Sequence, residues 1–189
     1  MLLLLLISDS TRDYVGAAVF GTSLILLFTA SALYHLAPLE SCHIGVLRRV
    51  DHSMIFFLIS GTYTPFALKV LDNAWGISIL VAVWGVAAFG IILKVVVVRA
   101  PRWLGVSIYV SIGWIGLIPS AHIARALPIE ANILLLSGGL LFSLGALMYL
   151  LRWPNPSPWV FGFHEVFHLM VIMASGVFYL VVAAYVLPI

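Results

Sequence analysis

Tyr14-Val-Gly-Ala-Ala-Val-Phe-Gly-Thr-Ser-Leu-Ile-Leu-Leu-Phe-Thr-Ala-Ser31-Ala-Leu-Tyr-His35 runs for 22 residues without an Asp, Glu, Lys or Arg. About 20 mainly apolar residues are what an α-helix needs to cross the hydrocarbon of a bilayer. Working outward from this run, spans are predicted at about 14–36, 51–71, 74–98, 103–123, 129–151 and 159–187. The breaks between them are short and polar or Pro-bearing, as in Ala37-Pro38-Leu39-Glu40-Ser41 and Trp153-Pro154-Asn155-Pro156-Ser157-Pro158. Runs without two-residue alternation argue against a closed β-barrel, the other structure able to span lipid. The fold class is therefore an all-α polytopic membrane helix bundle, one transmembrane domain over residues 1–189.

Composition supports the same solvent. The chain of 189 residues is 63% hydrophobic and 8% charged, whereas soluble domains run near half apolar and about a quarter charged. With a mean hydropathy of +1.18, too few polar residues exist to cover a water-soluble globule. A net charge of +2 is too small for a nucleic-acid surface, so the expected partners are membrane lipids. One cysteine, Cys42, excludes an internal disulfide framework and a Cys-rich zinc module.

Met1 to Ile7 is apolar but far too short to span, and it lacks the basic segment and cleavage site of a signal peptide. It is read as the stub of a first helix that is mostly missing from this chain, in a bundle of seven-helix type. Lys and Arg in short loops set orientation. Arg48, Arg49, Lys94, Arg99, Arg102 and Arg152 fall on one face, and Arg12, Lys69 and Arg125 on the other. The first face is predicted to be cytoplasmic and the C-terminus to lie outside.

Ionisable residues within spans are costly and mark function by default. His35 closes the first full span, Asp51 and His52 open the next, and His164 and His168 open the last. In an antiparallel bundle these positions share one depth. His164 and His168, at i and i+4, lie on one helical face, and His35 would bring a third imidazole. Three neutral imidazoles with an open fourth position are the donor set of a catalytic zinc site, although ligand type alone admits other imidazole-binding divalent metals. Asp51 and Ser31, one turn before His35, would stand beside the ion as catalytic or orienting groups. His52 points about 100° away from Asp51 and need not join. Asp51 has a plainer reading as a partner of Arg48 or Arg49, and His43 and His122 read as interfacial residues. Cys42-His43 is a weak metal signal. His164-Glu165-Val-Phe-His168 also matches H-E-x-x-H, in which Glu165 would be the general base of a membrane metalloprotease; near the membrane surface, Glu165 can equally be a solvated carboxylate.

Phe28-Thr-Ala-Ser31-Ala-Leu-Tyr-His35, Arg49-Val-Asp51-His52, Gly61-Thr-Tyr-Thr-Pro65-Phe66 and His164-Glu-Val-Phe-His168 together resemble the hemolysin III branch of the progestin and adipoQ receptor (PAQR) family of seven-helix membrane proteins. The resemblance implies Zn2+ held by His35, His164 and His168 near the cytoplasmic side, with Asp51 and Ser31 beside a bound water. It also implies a likeness to alkaline ceramidases, and so to zinc-dependent hydrolysis of a ceramide-like amide in the bacterial inner membrane. Many bacterial members carry a further histidine where this chain has Phe178. The leading expectation is a metal-dependent hydrolase of a lipid amide or ester. Its competitors are a receptor or lipid sensor with structural zinc, a pore-forming hemolysin, and the metalloprotease. Small residues at 85, 90, 138, 139 and 145, all glycine, are expected to let helices approach closely. Gly61 and Pro65 are expected to kink one span and free a carbonyl.

Overall fold

The computed structural model of the protein describes residues 1–38, 43–71, 74–97, 101–157 and 160–189. Every element longer than a turn among these residues is a helix. Helix α1 is Leu2–Leu6, and α2 is Thr11–Leu36. A reciprocal cap starts α2: the Asp13 N–H donates to the Ser10 Oγ, and the Ser10 N–H donates to the Asp13 carboxylate, both at 3.2 Å. Pro38 ends it by holding Ala37 in extended backbone. Helix α3 is Ile44–Pro65, and its last residue leads into a π-helical turn over Phe66–Val70.

Helix α4 is Ala74–Val96. Pro101 then opens α5, Arg102–Gly113, which continues through a 3-10 turn at Ile115–Leu117 into α6, Ser120–Ala126. Helix α7 is Ile129–Leu151, and α8 is Phe163–Val181 with a π-helical turn at Val182–Val186. Five of the helical segments are long and apolar enough to cross a membrane, and the bent α5–α6 pair makes a sixth candidate. The protein is a polytopic helical membrane protein.

Three features differ from the sequence expectation. The second span was expected to open at Asp51; instead α3 begins at Ile44, seven residues earlier, so Asp51 and His52 lie inside the helix. Nothing between Ile44 and Pro65 breaks a helix, and Arg48 and Arg49 are good helix formers. The fourth span was read as one run; it is broken by 54° between Leu117 and Ser120, where Pro119 removes a backbone donor. The Tyr63 hydroxyl from α3 holds the turn just ahead of the break: it donates to the Gly113 carbonyl at 2.6 Å and accepts from the Gly116 N–H at 2.9 Å. Among the glycines, a Cβ at position 85 would meet nothing within 4 Å, and one at 139 would meet only a Trp114 ring atom at 3.9 Å. Close approach does hold at Gly90 against Phe56, at Gly138 against Phe178 (2.8 Å) and at Gly145 against Met170 (2.9 Å). A close backbone contact that the sequence did not foresee is at Gly16, where a Cβ would stand 2.9 Å from the Pro65 Cα.

The last helix begins at Phe163 rather than at Trp159, which, with Cys42 and Arg99, lies outside the described residues. The segment read as a stub packs inward, with Leu4 fully buried in a core shared by α2, α3, α7 and α8. A second core joins Phe56 of α3 to Ile79, Val83 and Ala87 of α4 and Ile112 of α5. Opposite the end that carries His35, His164 and His168, the fully buried Asp13 carboxylate accepts a 2.8 Å hydrogen bond from Lys69, which the π-helical turn carries back towards α2. An apolar cavity of about 330 Å³ opens between α3, α5, α7 and α8, lined by residues such as Leu58, Tyr63, Trp114, Phe142 and Phe178.

Candidate metal centre

Helical spacing alone puts two imidazoles together. His164 and His168 are the second and sixth residues of α8, and their Nε2 atoms are 3.1 Å apart. His35, next to last in α2, completes a triangle, with its Nε2 at 3.2 Å from each. A neutral imidazole has one N–H and one lone pair. Three Nε2 atoms this close cannot all be satisfied by one another, whereas one cation satisfies all three. Nitrogens around a tetrahedral ion with bonds of about 2.0–2.1 Å stand about 3.3–3.4 Å apart. The observed triangle is within a few tenths of an ångström of that figure, so the three histidines could hold a metal ion.

The sequence-selected companions come to the same place. Asp51 of α3 is 5% exposed and lines the same small pocket as Ser31 of α2. Ser31, Asp51, His164 and His168 line a small cavity of about 40 Å³, enough for at least one water molecule. Leu27, Ile55, Tyr109, Ala146, Phe167 and Val171 line both this cavity and the large apolar one. A small pocket that carries the side chains of Ser31, Asp51, His164 and His168 therefore abuts the larger apolar cavity.

Other sequence candidates are placed differently. His52 stays out of the triangle: its Nδ1 pairs with the Arg48 carbonyl at 2.6 Å and stands 3.7 Å from the Asp51 carboxylate. Asp51 is thus buried beside Ser31 and His52 rather than engaged in a surface pair. Glu165 accepts a 2.8 Å hydrogen bond from the Gly162 N–H and caps α8. His43 is exposed at the start of α3, and the His122 ring packs on Trp75 at 5.5 Å. Cys42, the proposed companion of His43, falls outside the described residues.

Three neighbours escaped the sequence reading. The Tyr149 ring of α7 lies 5.9 Å from that of His164. The Arg102 guanidinium sits 4.9 Å over the Tyr149 ring and 5.9 Å from that of Phe163. Tyr109 of α5 directs its hydroxyl at the His52 carbonyl, 3.4 Å away. Depth was the available signal: all three occupy the same end of the bundle as the triad.

The sequence profile described as Haemolysin-III related matches residues 1–179. The chain belongs to the haemolysin-III family. This is the PAQR/haemolysin-III family that the motifs resemble. Among haemolysin-III relatives, it is 32% identical over 176 residues to the "Hemolysin-3 homolog" of Bacillus subtilis (strain 168), covering 93% of this chain and 79% of that protein. It is 34% identical over 178 residues to the "Hemolysin-3" of Bacillus cereus, covering 92% of this chain and 76% of that one. No solved structure matches the chain significantly. Family membership and the apolar helices agree on an integral membrane protein.

Proposed function

We propose that this haemolysin-III protein is a zinc-dependent hydrolase of an amide or ester bond in a membrane lipid, of ceramidase-like type. The observation that carries the reading is the Nε2 triangle of His35, His164 and His168, with sides of 3.1–3.2 Å, next to a buried carboxylate. An all-imidazole donor set suits zinc, and a bound zinc ion would supply Lewis acidity and a water acidic enough to ionise near neutral pH.

The chain's own residues supply the rest. Asp51, beside Ser31 in a pocket with room for water, accepts a proton and returns it to the leaving amine or alcohol. The Ser31 hydroxyl donates to the oxygen that gains charge. The adjoining apolar cavity takes the lipid tail and excludes water from the reacting bond. The excess of Lys and Arg at the triad end supports a cytoplasmic-side site in a bacterial inner membrane, with the C-terminus outside.

Metal analysis of purified protein, with and without His168→Ala, is the direct test. About one zinc per chain that the substitution removes is the expected result; no metal in either ends the reading. The names of the relatives carry a second reading, membrane lysis. Dye release from liposomes that scales with protein-to-lipid ratio would support it, and none would remove it.

A further inference from the structure

Lysines and arginines at a cytoplasmic helix end ordinarily reach outward into water and headgroups. Two at this end turn inward. Arg102 is held against the rings of Tyr149 and Phe163, and its Nη1 is buried without a hydrogen-bond partner. A buried, unsatisfied guanidinium nitrogen is costly, and the stacked planar fork is the geometry that takes an oxyanion by two parallel hydrogen bonds. Lys94 is the second. Its Nζ lies over the Tyr109 ring at 5.8 Å, and it occupies the space that a Cβ at Gly105 would need, at 2.5 Å.

Arg48 of α3, Lys94 of α4 and Arg102 of α5 lie at the same end of the bundle as the candidate centre. Neither carboxylate at this end, Glu165 capping α8 or Asp51 beside His52, is the partner of the Arg102 Nη1, which is left without one among the described residues.

We propose that Arg102, supported by Arg48 and Lys94, is a receptor for a phosphate-type oxyanion, so that the lipid reaching this site bears a phosphate headgroup. As a statement about substrate class this rests on the hydrolytic reading of the triad; as a statement about binding it does not. The aromatic faces of Tyr149 and Phe163 hold the guanidinium in place, the oxyanion takes Nη1, and the tail lies in the apolar cavity.

The test is binding of a fluorescent short-chain phosphatidylglycerol to the full chain in neutral detergent, after treatment with chelator so that no metal contributes. Diacylglycerol of the same chain length is the uncharged control, and inorganic phosphate is the competitor. Wild type is expected to prefer phosphatidylglycerol, and Arg102→Gln to weaken that binding about tenfold. Arg125→Gln, exposed at the opposite end, is expected to leave it unchanged. Competition by phosphate assigns recognition to the free oxyanion; its failure, with lipid still bound, assigns it to the headgroup on its tail. Equal binding to Arg102→Gln overturns the proposal. Should that variant not fold, the salt dependence of wild-type binding decides: affinity that ignores ionic strength overturns it equally. Loss of the zinc reading alone would leave the effect of Arg102→Gln intact, whereas a metal-loaded protein insensitive to Arg102→Gln would remove only this inference.

Discussion

His168 stands 3.1 Å from His164 and 3.2 Å from His35 through one ring nitrogen, so removing it opens one corner of a three-cornered donor set. A ligand bound only by the folded state stabilises that state by mass action. Chelator is therefore expected to lower the Tm of wild type, while His168→Ala melts at the lower temperature with or without chelator; calorimetry in detergent checks both. Asp51→Asn is expected to keep the metal and to lose about 10²- to 10⁴-fold in hydrolysis, read by metal analysis beside a lipid amide assay. The i,i+4 pair and the shared depth of His35 and Asp51 were legible because helical periodicity and chain direction fix them. The depth of Asp51 within α3 was not, because arginines resemble a loop in a charge count yet extend a helix. Arg102 was illegible as a site residue: its clamp combines rings from α7 and α8, and no local pattern records such a meeting.

Helix α2 touches the rest of the bundle through small residues whose role depends on what faces them. At Gly16 the facing atom is Pro65 backbone, 2.9 Å from where a Cβ would stand, and neither side can yield cheaply. Gly16→Val is expected to cost folded yield and lower Tm by several degrees. Gly85→Ala, with open space around it, is expected to be neutral or to stabilise α4 by up to about 1 kcal/mol; thermal melts of the pair check the contrast. Position in a helix distinguishes neither glycine, so the sequence could mark the residue type but not the contact. Asp13 and Lys69 are 56 positions apart, joined only because Pro65 and the π-helical turn rotate Lys69 onto α2. Asp13→Ala is expected to cost about 1–3 kcal/mol by leaving the ammonium without its partner, measured by chemical denaturation in mixed micelles.

Over the whole molecule, the order of the apolar helices followed from runs of apolar residues, and five of them are unbroken and long enough to cross a membrane. What the runs could not record is the empty volume between them, because a cavity is set by how bent helices fail to fill space. Ala146 lines both the polar pocket and the apolar cavity. Ala146→Phe is expected to retain metal while reducing turnover of long-chain substrates about tenfold; a chain-length series, with metal content measured alongside, checks it.

The Tyr63 phenol, which holds the Gly113 carbonyl and the Gly116 N–H just ahead of the α5–α6 break, has a consequence for movement. A straightened crossing would regain its own ladder and release that oxygen, so the elbow is sustained by an atom borrowed from another helix. Stripped of it in Tyr63→Phe, two peptide groups face hydrocarbon alone. The stretch from Gly113 to Gly116, which lines the apolar cavity, is then expected to be the part of its wall that loosens first.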